Sequence, residues 1–324
     1  MGRAQRGAQR RHRAGGGARA IKLAVLAALV VPLTTGCSVD EVLRFGWPSG
    51  ITPQAEAMRQ LWTWSAITAL VVGAVTWGAM FWTVAFHRKR KGDDTLPRQT
   101  QYNLPVEIAF TVIPTIIVAV LFGFTVSVQN YVDSDSAEPP DLAVDIRGFQ
   151  WNWEFTYPDA QGPEGEPVST LGDSNTIPLL VLPTERTIEF TQASSDVIHS
   201  FFVPEFLFKR DVFPLPELNN QDNVWQIERI DQAGSFVGRC AELCGTYHAK
   251  MNFEVRALPP ETFDQWLLLR GQVNPATGAP YTAGEALAEL ECEGNLCAPA
   301  AITTFPFNTD RTDRAPSGAV AAGN

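Results

Sequence analysis

Two long apolar stretches dominate the hydrophobic pattern in the first half of the chain. Residues 61–86 contain no charged residue, and residues 104–128 contain only one, Glu107. Each stretch is long enough to cross about 30 Å of hydrocarbon as a helix. The sequence therefore predicts two transmembrane helices, at 61–86 and 104–128, connected by a loop at 87–103.

The charges beside the first span predict the orientation of this hairpin. Residues 87–91 read His-Arg-Lys-Arg-Lys, and loops rich in Lys and Arg remain on the cytoplasmic side. Loop 87–103 is therefore predicted to be cytoplasmic. Residues 37–60 and everything after the second span are then extracytoplasmic, which describes a multi-pass protein of the plasma membrane.

The first 36 residues are typical of a signal peptide. They hold seven basic residues and no acidic one, followed by an apolar run at 23–33 and the small residues Thr34-Thr35-Gly36. Gly36-Cys37 resembles a bacterial lipoprotein cleavage site, at which Cys37 becomes the lipidated first residue. Ordinary cleavage beside an incidental cysteine is the alternative, because Thr34 stands where such sites usually have Leu.

After the second span the chain changes to short segments rich in β-branched and aromatic residues. Clusters of Pro, Gly and Asp separate these segments, which lie at 142–157, 177–182, 187–191 and 223–230. This pattern predicts an all-β domain, a sandwich or a barrel, over residues 139–260. An amphipathic helix is predicted at 261–270, at the start of a tail (261–324) that is otherwise without a strong pattern.

Charge narrows the classes of partner. The whole chain has a net charge of −10, and removal of the basic signal peptide leaves −17, so binding of nucleic acid through the surface field is excluded. Residues 139–258 alone hold 18 acidic and 8 basic residues. Solubility is one explanation of this acidic excess. The other is electrostatic steering of a basic partner, an attraction that salt would screen.

The scarce metal-ligating residues gather in one motif of the predicted β domain. Cys240, Cys244, His248 and Met251 follow one another within twelve residues, in a chain with only five Cys and four His. His199 is the only other His after the second span. Thiolate, imidazole and thioether together favour copper over zinc, which is held by thiolate, imidazole and carboxylate.

Two cysteines are one more than a mononuclear blue-copper site requires. The second thiolate allows two sulfurs to bridge two metals, each with one imidazole and a weak fourth ligand, Met251 or a nearby carbonyl. Such a pair favours electron transfer over substrate chemistry. A disulfide between Cys240 and Cys244 is the alternative, but it leaves His248 and Met251 unexplained. For His199 alone, a buried core histidine is the alternative.

The pattern C-x-E-x-C-G-x-x-H-x-x-M, with D-V-x-H-S upstream, resembles the binuclear CuA site of subunit II of haem–copper cytochrome c oxidases. The resemblance covers about residues 55–270 and implies two membrane helices followed by a cupredoxin-like β-sandwich. It also implies a Mg²⁺ or Mn²⁺ ion held by the Glu242 carboxylate and shared with subunit I. The implied copper ligands are His199, Cys240, Cys244, His248, Met251 and the backbone carbonyl of Glu242.

Two further residues acquire a role through this resemblance. Trp151 would receive electrons from cytochrome c or from a membrane-bound c-type cytochrome. The alternative is a strand on which Phe149, Trp151 and Trp153 form a buried face. Glu107 would lie at the mouth of a proton-uptake path into subunit I, although Phe110 replaces the Trp usual in that segment. A snorkelling surface carboxylate is the alternative for Glu107.

The resemblance implies subunits I and III as partners, with oxygen reduced to water and protons pumped in subunit I. The long tail and the high Ala, Gly and Arg content resemble bacterial, actinobacterial, versions of the aa3 type. Three alternative functions fit the sequence less well. Quinol oxidase subunits typically lack the copper ligands, which are present here, and copper carriers need no intramembrane Glu. Nitrous oxide reductase carries a large His-rich domain, whereas this chain has only four His. The segment 211–217 lacks the usual Gly-Arg, which leaves contacts with subunit I open.

Cys292 and Cys297 lie outside the resemblance. In an exported segment, two cysteines this close are predicted to form a local disulfide. The chain has no Cys-x-x-Cys-His, the motif that attaches a c-type haem, so the electron donor is expected to be another protein or subunit.

Overall fold

The computed structural model describes residues 38–298, apart from 90–91, 93–94, 97, 136–138, 174–176, 293 and 295. The predicted signal peptide, the lipidation candidate Cys37 and the end of the tail lie outside the described residues. The chain divides into two compact units at Trp47 and Pro48. The first unit holds helix α1 (Val39–Leu43), and all other elements belong to the second.

Two long helices open the second unit, α2 (Pro53–Phe86) and α3 (Leu104–Val132). Helix α2 begins before the apolar stretch because Thr52 caps it, accepting a hydrogen bond from the Ala55 amide at 3.0 Å. Both helices are long and apolar enough to cross a membrane, and their most apolar stretches are not buried within the chain. A lipid environment would cover the apolar surfaces that the protein leaves unburied.

Among the described residues, ten strands form two five-stranded sheets. The first sheet has the order β3-β2-β1-β5-β8, and the second has the order β4-β10-β9-β6-β7. The strands are β1 (Leu142–Phe149), β2 (Asn152–Gln161), β3 (Pro167–Leu171), β4 (Leu179–Pro183), β5 (Ile188–Ser194), β6 (His199–Val203), β7 (Phe208–Val212), β8 (Val224–Ile227), β9 (Gly234–Cys240) and β10 (Asn252–Leu258). The predicted all-β sandwich following two apolar helices is thus confirmed.

Aromatic side chains from both sheets fill the space between them. Trp153 lies 5.4 Å from Phe253, and Phe201 stacks on Phe253 at 4.8 Å, measured between ring centroids. Phe190 of the first sheet stacks on Trp225 at 4.3 Å. Burial alternates strictly along β5, as expected for a strand with one face towards a core.

The segment predicted at 142–157 is two strands rather than one. Phe149 pairs with Asn152, so that Gln150 and Trp151 form the turn of the β1–β2 hairpin. The alternative of a single strand with Phe149, Trp151 and Trp153 on one buried face is therefore wrong. Trp153 is fully buried, whereas Trp151 sits at the turn and is only partly buried.

The C-terminal segment packs onto the sandwich. Helix α4 (Pro260–Arg270) buries Phe263 and Trp266, and the short helix α5 (Ala283–Ala288) follows it. The Trp266 indole donates to the Ala283 carbonyl at 3.1 Å, which joins the two helices. No sequence pattern indicated α5, because six residues are too few to display a helical period.

Candidate metal centre

Two buried thiols form the centre of the site. The Sγ atoms of Cys240 and Cys244 lie 3.7 Å apart, and both cysteines are free. Cys240 ends strand β9, and Cys244 lies in the loop that leads to β10. The alternative of a Cys240–Cys244 disulfide is not the arrangement in this structure.

One imidazole lies beside each sulfur. Nδ1 of His199 is 3.8 Å from Sγ of Cys240, and Nδ1 of His248 is 3.6 Å from Sγ of Cys244. His199 begins β6, whose Phe201 pairs with Cys240, so sheet register brings His199 and Cys240 together. His248 opens a single 3-10 turn at the end of the cysteine loop.

A weaker donor also lies beside each sulfur. The backbone carbonyl oxygen of Glu242 is 3.2 Å from Sγ of Cys240. Sδ of Met251, which is fully buried, is 3.8 Å from Sγ of Cys244. Each sulfur therefore has one imidazole and one weak donor as neighbours, and the site is nearly symmetric about the sulfur pair.

This donor set fits copper better than zinc. One atom each from His199, Cys240 and Cys244 can be chosen so that all three lie within 4.8 Å of one another, close enough to surround a metal. The full set of two sulfurs, two imidazoles, a thioether and a carbonyl exceeds the four ligands of a structural zinc. Soft thiolate and thioether donors combined with imidazole match copper instead.

Ionisation of the sulfur pair is electrostatically unfavourable without a metal. Burial, together with the neighbouring Cys240 sulfur, raises the pKa of the Cys244 thiol to about 12. A thiol in this position remains protonated near neutral pH unless a cation stabilises the thiolate. The pocket therefore provides two sulfurs that become charged ligands only when a metal compensates them.

Asp196 holds His199 from the side opposite the sulfurs. Its Oδ1 lies 2.8 Å from Nε2 of His199, and its Oδ2 accepts a hydrogen bond from the backbone amide of Gln150 at 2.7 Å. Burial opposes ionisation, but hydrogen bonds from Gln150, His199 and Val197 hold the pKa of Asp196 below its usual range. A carboxylate on the outer nitrogen of a ligand imidazole fixes its tautomer and orientation.

The β1–β2 turn lies against the cysteine loop. Nε1 of Trp151 donates to the Cys244 carbonyl at 3.2 Å, and the Gln150 side chain donates to the same oxygen at 2.7 Å. The ring of Tyr247 meets Trp151 edge-on at 4.9 Å. Sequence reasoning overlooked Gln150, because a side-chain amide in an aromatic segment gives no signal of its own.

Comparisons with known proteins show the family of this chain. Residues 142–258 match the family described as cytochrome C oxidase subunit II, periplasmic domain. The chain is 48% identical over 343 residues to the probable cytochrome c oxidase subunit 2 of Nocardia farcinica, covering 90% of this chain and 88% of the relative. This chain belongs to the cytochrome c oxidase subunit II family.

Other members of the subunit II family are similar over nearly the whole chain. Cytochrome c oxidase subunit 2 of Mycobacterium tuberculosis is 43% identical over 366 residues, covering 97% of each chain. The crystal structure of the periplasmic domain of subunit II from Bradyrhizobium japonicum is 26% identical. It covers 41% of this chain and 95% of that chain, with a TM-score of 0.34.

Family membership confirms the resemblance found in the motif. The chain is a membrane-anchored subunit II with an extracytoplasmic, copper-binding, cupredoxin-like domain, and its family belongs to haem–copper oxidase complexes with other subunits. The resemblance to actinobacterial versions is also confirmed, since the Nocardia and Mycobacterium relatives are actinobacterial.

Three further predicted residues of this subunit II lie away from the sulfur pair along the chain, and a fourth, Glu242, lies between the two cysteines. Glu107 is in the first turn of α3, where its Oε1 accepts a hydrogen bond from the backbone amide of Asn103 at 2.9 Å. Cys292 and Cys297 are joined as a disulfide in the C-terminal segment. Glu242 is exposed on the cysteine loop.

Proposed function

We propose that this subunit II holds a binuclear copper centre and uses it to receive electrons from a c-type cytochrome. The observation that carries the proposal is the pair of free thiols 3.7 Å apart, each flanked by one imidazole and one weak donor. A copper centre held by these residues would supply one-electron transfer. The ligands would be His199, Cys240, Cys244, His248, Met251 and the backbone carbonyl of Glu242.

The chain's own residues provide the route to the sulfurs. Trp151 is partly exposed at the β1–β2 turn and is hydrogen-bonded to the Cys244 carbonyl, so it connects the surface with a ligand residue. We assign Trp151 as the point at which electrons arrive. The donor is cytochrome c or a membrane-bound c-type cytochrome, and the acidic domain favours a basic docking face on it.

Neighbouring subunits would complete the reaction. Electrons would pass to a haem in subunit I, where oxygen would be reduced to water and protons pumped, with subunit III as a further partner. The Glu242 carboxylate is exposed beside the copper loop and is suited to share a Mg²⁺ or Mn²⁺ ion with subunit I. Glu107, at the loop end of α3, would lie on the proton-uptake path.

The proposed placement follows from the same assignment. The signal peptide is 1–36, with Cys37 as the lipidation candidate, and 37–60 is extracytoplasmic. Loop 87–103 is cytoplasmic, between spans at 61–86 and 104–128 of the bacterial plasma membrane. The copper domain (139–260) and the tail (261–324) lie outside.

Reconstitution of the extracytoplasmic fragment 139–298 with copper tests the central claim. We expect two coppers per chain, a purple colour and an EPR hyperfine pattern from two equivalent copper nuclei. Cys240→Ser should abolish this pattern, whereas the double variant Cys292→Ser/Cys297→Ser should retain it. One copper with a blue-copper spectrum, or no tightly bound copper in the correctly folded fragment, would overturn the proposal.

A further inference from the structure

The membrane hairpin and the β-sandwich meet at a polar junction. The Tyr131 hydroxyl, at the end of α3, donates to Oε2 of Glu228 at 2.9 Å. Ahead of α2, the Ile51 amide donates to the Glu205 carbonyl at 3.1 Å, and the Asp231 amide donates to the Ile51 carbonyl at 2.7 Å. Both helices are thus fixed to the domain, α3 through Glu228, which follows strand β8, and the start of α2 through Glu205 and Asp231.

A cavity of about 230 Å³ lies within this junction. Every residue that lines it carries a side-chain oxygen, and the lining comes from the start of α2, the end of α3 and the β8 region. The lining residues are Gln54, Tyr131, Ser134, Asp135, Gln226 and Glu228. A cavity lined only by oxygen-bearing polar side chains is suited to a hydrated ion rather than to an apolar ligand.

Gln54 gives an independent indication of a ligand. Its side chain is only 9% exposed, and its Oε1 has no hydrogen-bond partner among the residues the structure describes. A buried amide oxygen without a donor is unfavourable, so such groups are normally satisfied by protein, water or an ion. The nearby amides of Ala55 and Glu56 cannot supply it, since both are hydrogen-bonded to Thr52.

The charge around the cavity is negative. Asp135 and Glu228 line it, and the neighbouring segments add Asp133 and Asp231. Arg229 compensates part of this charge, because it pairs with both Glu228 and Asp231. Arg210 pairs with Asp133 at 3.7 Å but also with Asp222 outside the cavity lining.

The end of helix α3 adds to this field. Carbonyl groups at a helix C-terminus carry partial negative charge and favour a cation. Tyr131 and Ser134 come from this end of the helix, and Asp133 caps it. The ionised side chains and the helix terminus therefore act in the same direction.

We propose that this cavity binds a hard divalent cation, calcium by its ligand chemistry. Gln54 Oε1 and the carboxylates of Asp135 and Glu228 would be the protein ligands, with hydroxyl groups and water completing the shell. Calcium accepts mixed carboxylate, amide and water oxygens in irregular geometry, whereas magnesium requires a near-ideal octahedron. The ion would join both membrane helices to strand β8, independently of the copper centre.

Terbium luminescence of the full-length chain in detergent tests this proposal. Tb³⁺ is a hard cation that replaces calcium, and the Tyr131 ring beside the cavity should sensitise its emission. All variants carry Glu242→Gln, which removes the other proposed position for a hard cation. We expect saturable emission that Ca²⁺ displaces at lower concentration than Mg²⁺ does.

Four substitutions locate the ion. Glu228→Gln and Asp135→Asn should each raise the Tb³⁺ dissociation constant at least tenfold, whereas Glu217→Gln, an exposed carboxylate outside the cavity lining, should leave it unchanged. Gln54→Glu should tighten binding, because it adds a charged oxygen at the buried position. Circular dichroism of each metal-free variant confirms that it is folded.

The alternatives give different results. If Glu217→Gln weakens Tb³⁺ binding as much as Glu228→Gln does, the ion associates with the acidic surface in general and the site is refuted. Absence of saturable emission from the folded chain would mean that the cavity holds only water. Weaker binding in folded Gln54→Glu would show that the buried amide is not a ligand.

Discussion

The indole nitrogen of Trp151 and the side-chain nitrogen of Gln150 donate to one acceptor, the carbonyl oxygen of Cys244, at 3.2 and 2.7 Å. The turn of the β1–β2 hairpin is therefore fixed directly to a residue of the candidate copper loop. Under the proposed function, this contact connects the surface with a proposed copper ligand.

Trp151→Phe should slow electron arrival while leaving the copper centre intact. Phenylalanine keeps an aromatic ring but loses the hydrogen bond to Cys244 and part of the exposed surface. We expect oxidation of reduced cytochrome c by the assembled oxidase to fall at least tenfold, or about 1.4 kcal/mol in activation free energy. Stopped-flow absorbance measures the rate, and the visible copper spectrum should be unchanged.

Tyr247→Phe is the matched control for this variant. It keeps the ring that meets Trp151 edge-on and should leave the rate within about twofold of the parent, since the hydrogen bond to Cys244 is preserved. Equal rates for Trp151→Phe and the parent oxidase would exclude Trp151 as the point of electron arrival.

Gly148→Ala should disturb the copper centre through His199. A methyl group at this position would lie 3.1 Å from Cδ2 of His199 and 3.3 Å from the ring of Trp153, closer than side chains normally pack. Overpacking of this kind costs about 1–3 kcal/mol of stability. Here it would also displace the imidazole of His199, a proposed copper ligand. Urea unfolding of fragment 139–298 measures the stability, and copper titration measures the affinity.

Gly165→Ala separates backbone strain from contact with the site. Gly165 has φ +88° and no atom within 4 Å of an added methyl group, so alanine should cost about 1 kcal/mol without altering copper affinity. If Gly148→Ala and Gly165→Ala lower stability alike and neither changes the copper spectrum, the His199 contact is not responsible.

The spacing of the motif was sufficient to predict which donors come together. Cys240, Cys244, His248 and Met251 are close in sequence, and only three residue types bind soft metals in this way. The pairing of His199 with Cys240 depends on the register of β6 against β9, which no local pattern specifies. Its prediction rested on the scarcity of histidine and on the family resemblance.

Other features could not be read from the sequence, for physical reasons. Gln150-Trp151 forms a hairpin turn without the Gly or Asn that normally identifies one. Strand β10 is buried on both faces because the C-terminal segment covers it, so Glu254 and Arg256 occupy positions where polar residues usually indicate exposure. Long-range packing, rather than local propensity, decides such positions.

Arg256→Met should strongly destabilise the domain. Arg256 is fully buried, pairs with Glu254, and donates to the carbonyl of Ala298 at 2.9 Å and to that of Leu296. Its removal takes away the buried cation that pairs with Glu254, and breaking a buried pair typically costs about 3–5 kcal/mol. Urea unfolding of fragment 139–298 measures this loss.

Two companion variants distinguish the cause. Adding Glu254→Gln to Arg256→Met should restore most of the stability, because the buried negative charge is removed together with its cation. Arg186→Met breaks the partly exposed pair with Asp264 and should cost no more than about 1 kcal/mol. Similar losses for Arg256→Met and Arg186→Met would contradict the importance of burial.

Asp145→Asn should stabilise the domain at neutral pH but not in acid. Burial, and then the charge of Asp159, raise the pKa of Asp145 above its ordinary value. The folded state therefore binds this proton more tightly than the unfolded state, in which the pKa is about 3.9. Stability is lost as pH rises from that value through the higher pKa of the folded state. The substitution removes this loss, so its benefit is full at pH 7 and absent below about pH 3.9.

Urea unfolding of fragment 139–298, repeated across the pH range, measures the size and coupling of this effect. Asp145 is exposed on β1, so solvent screening limits the gain to less than about 1 kcal/mol. Asp159→Asn should give a smaller gain of the same sign, and the double variant should fall short of additivity because the two carboxylates act on each other. A gain that persists unchanged in acid would mean that Asp145→Asn acts through packing rather than through charge.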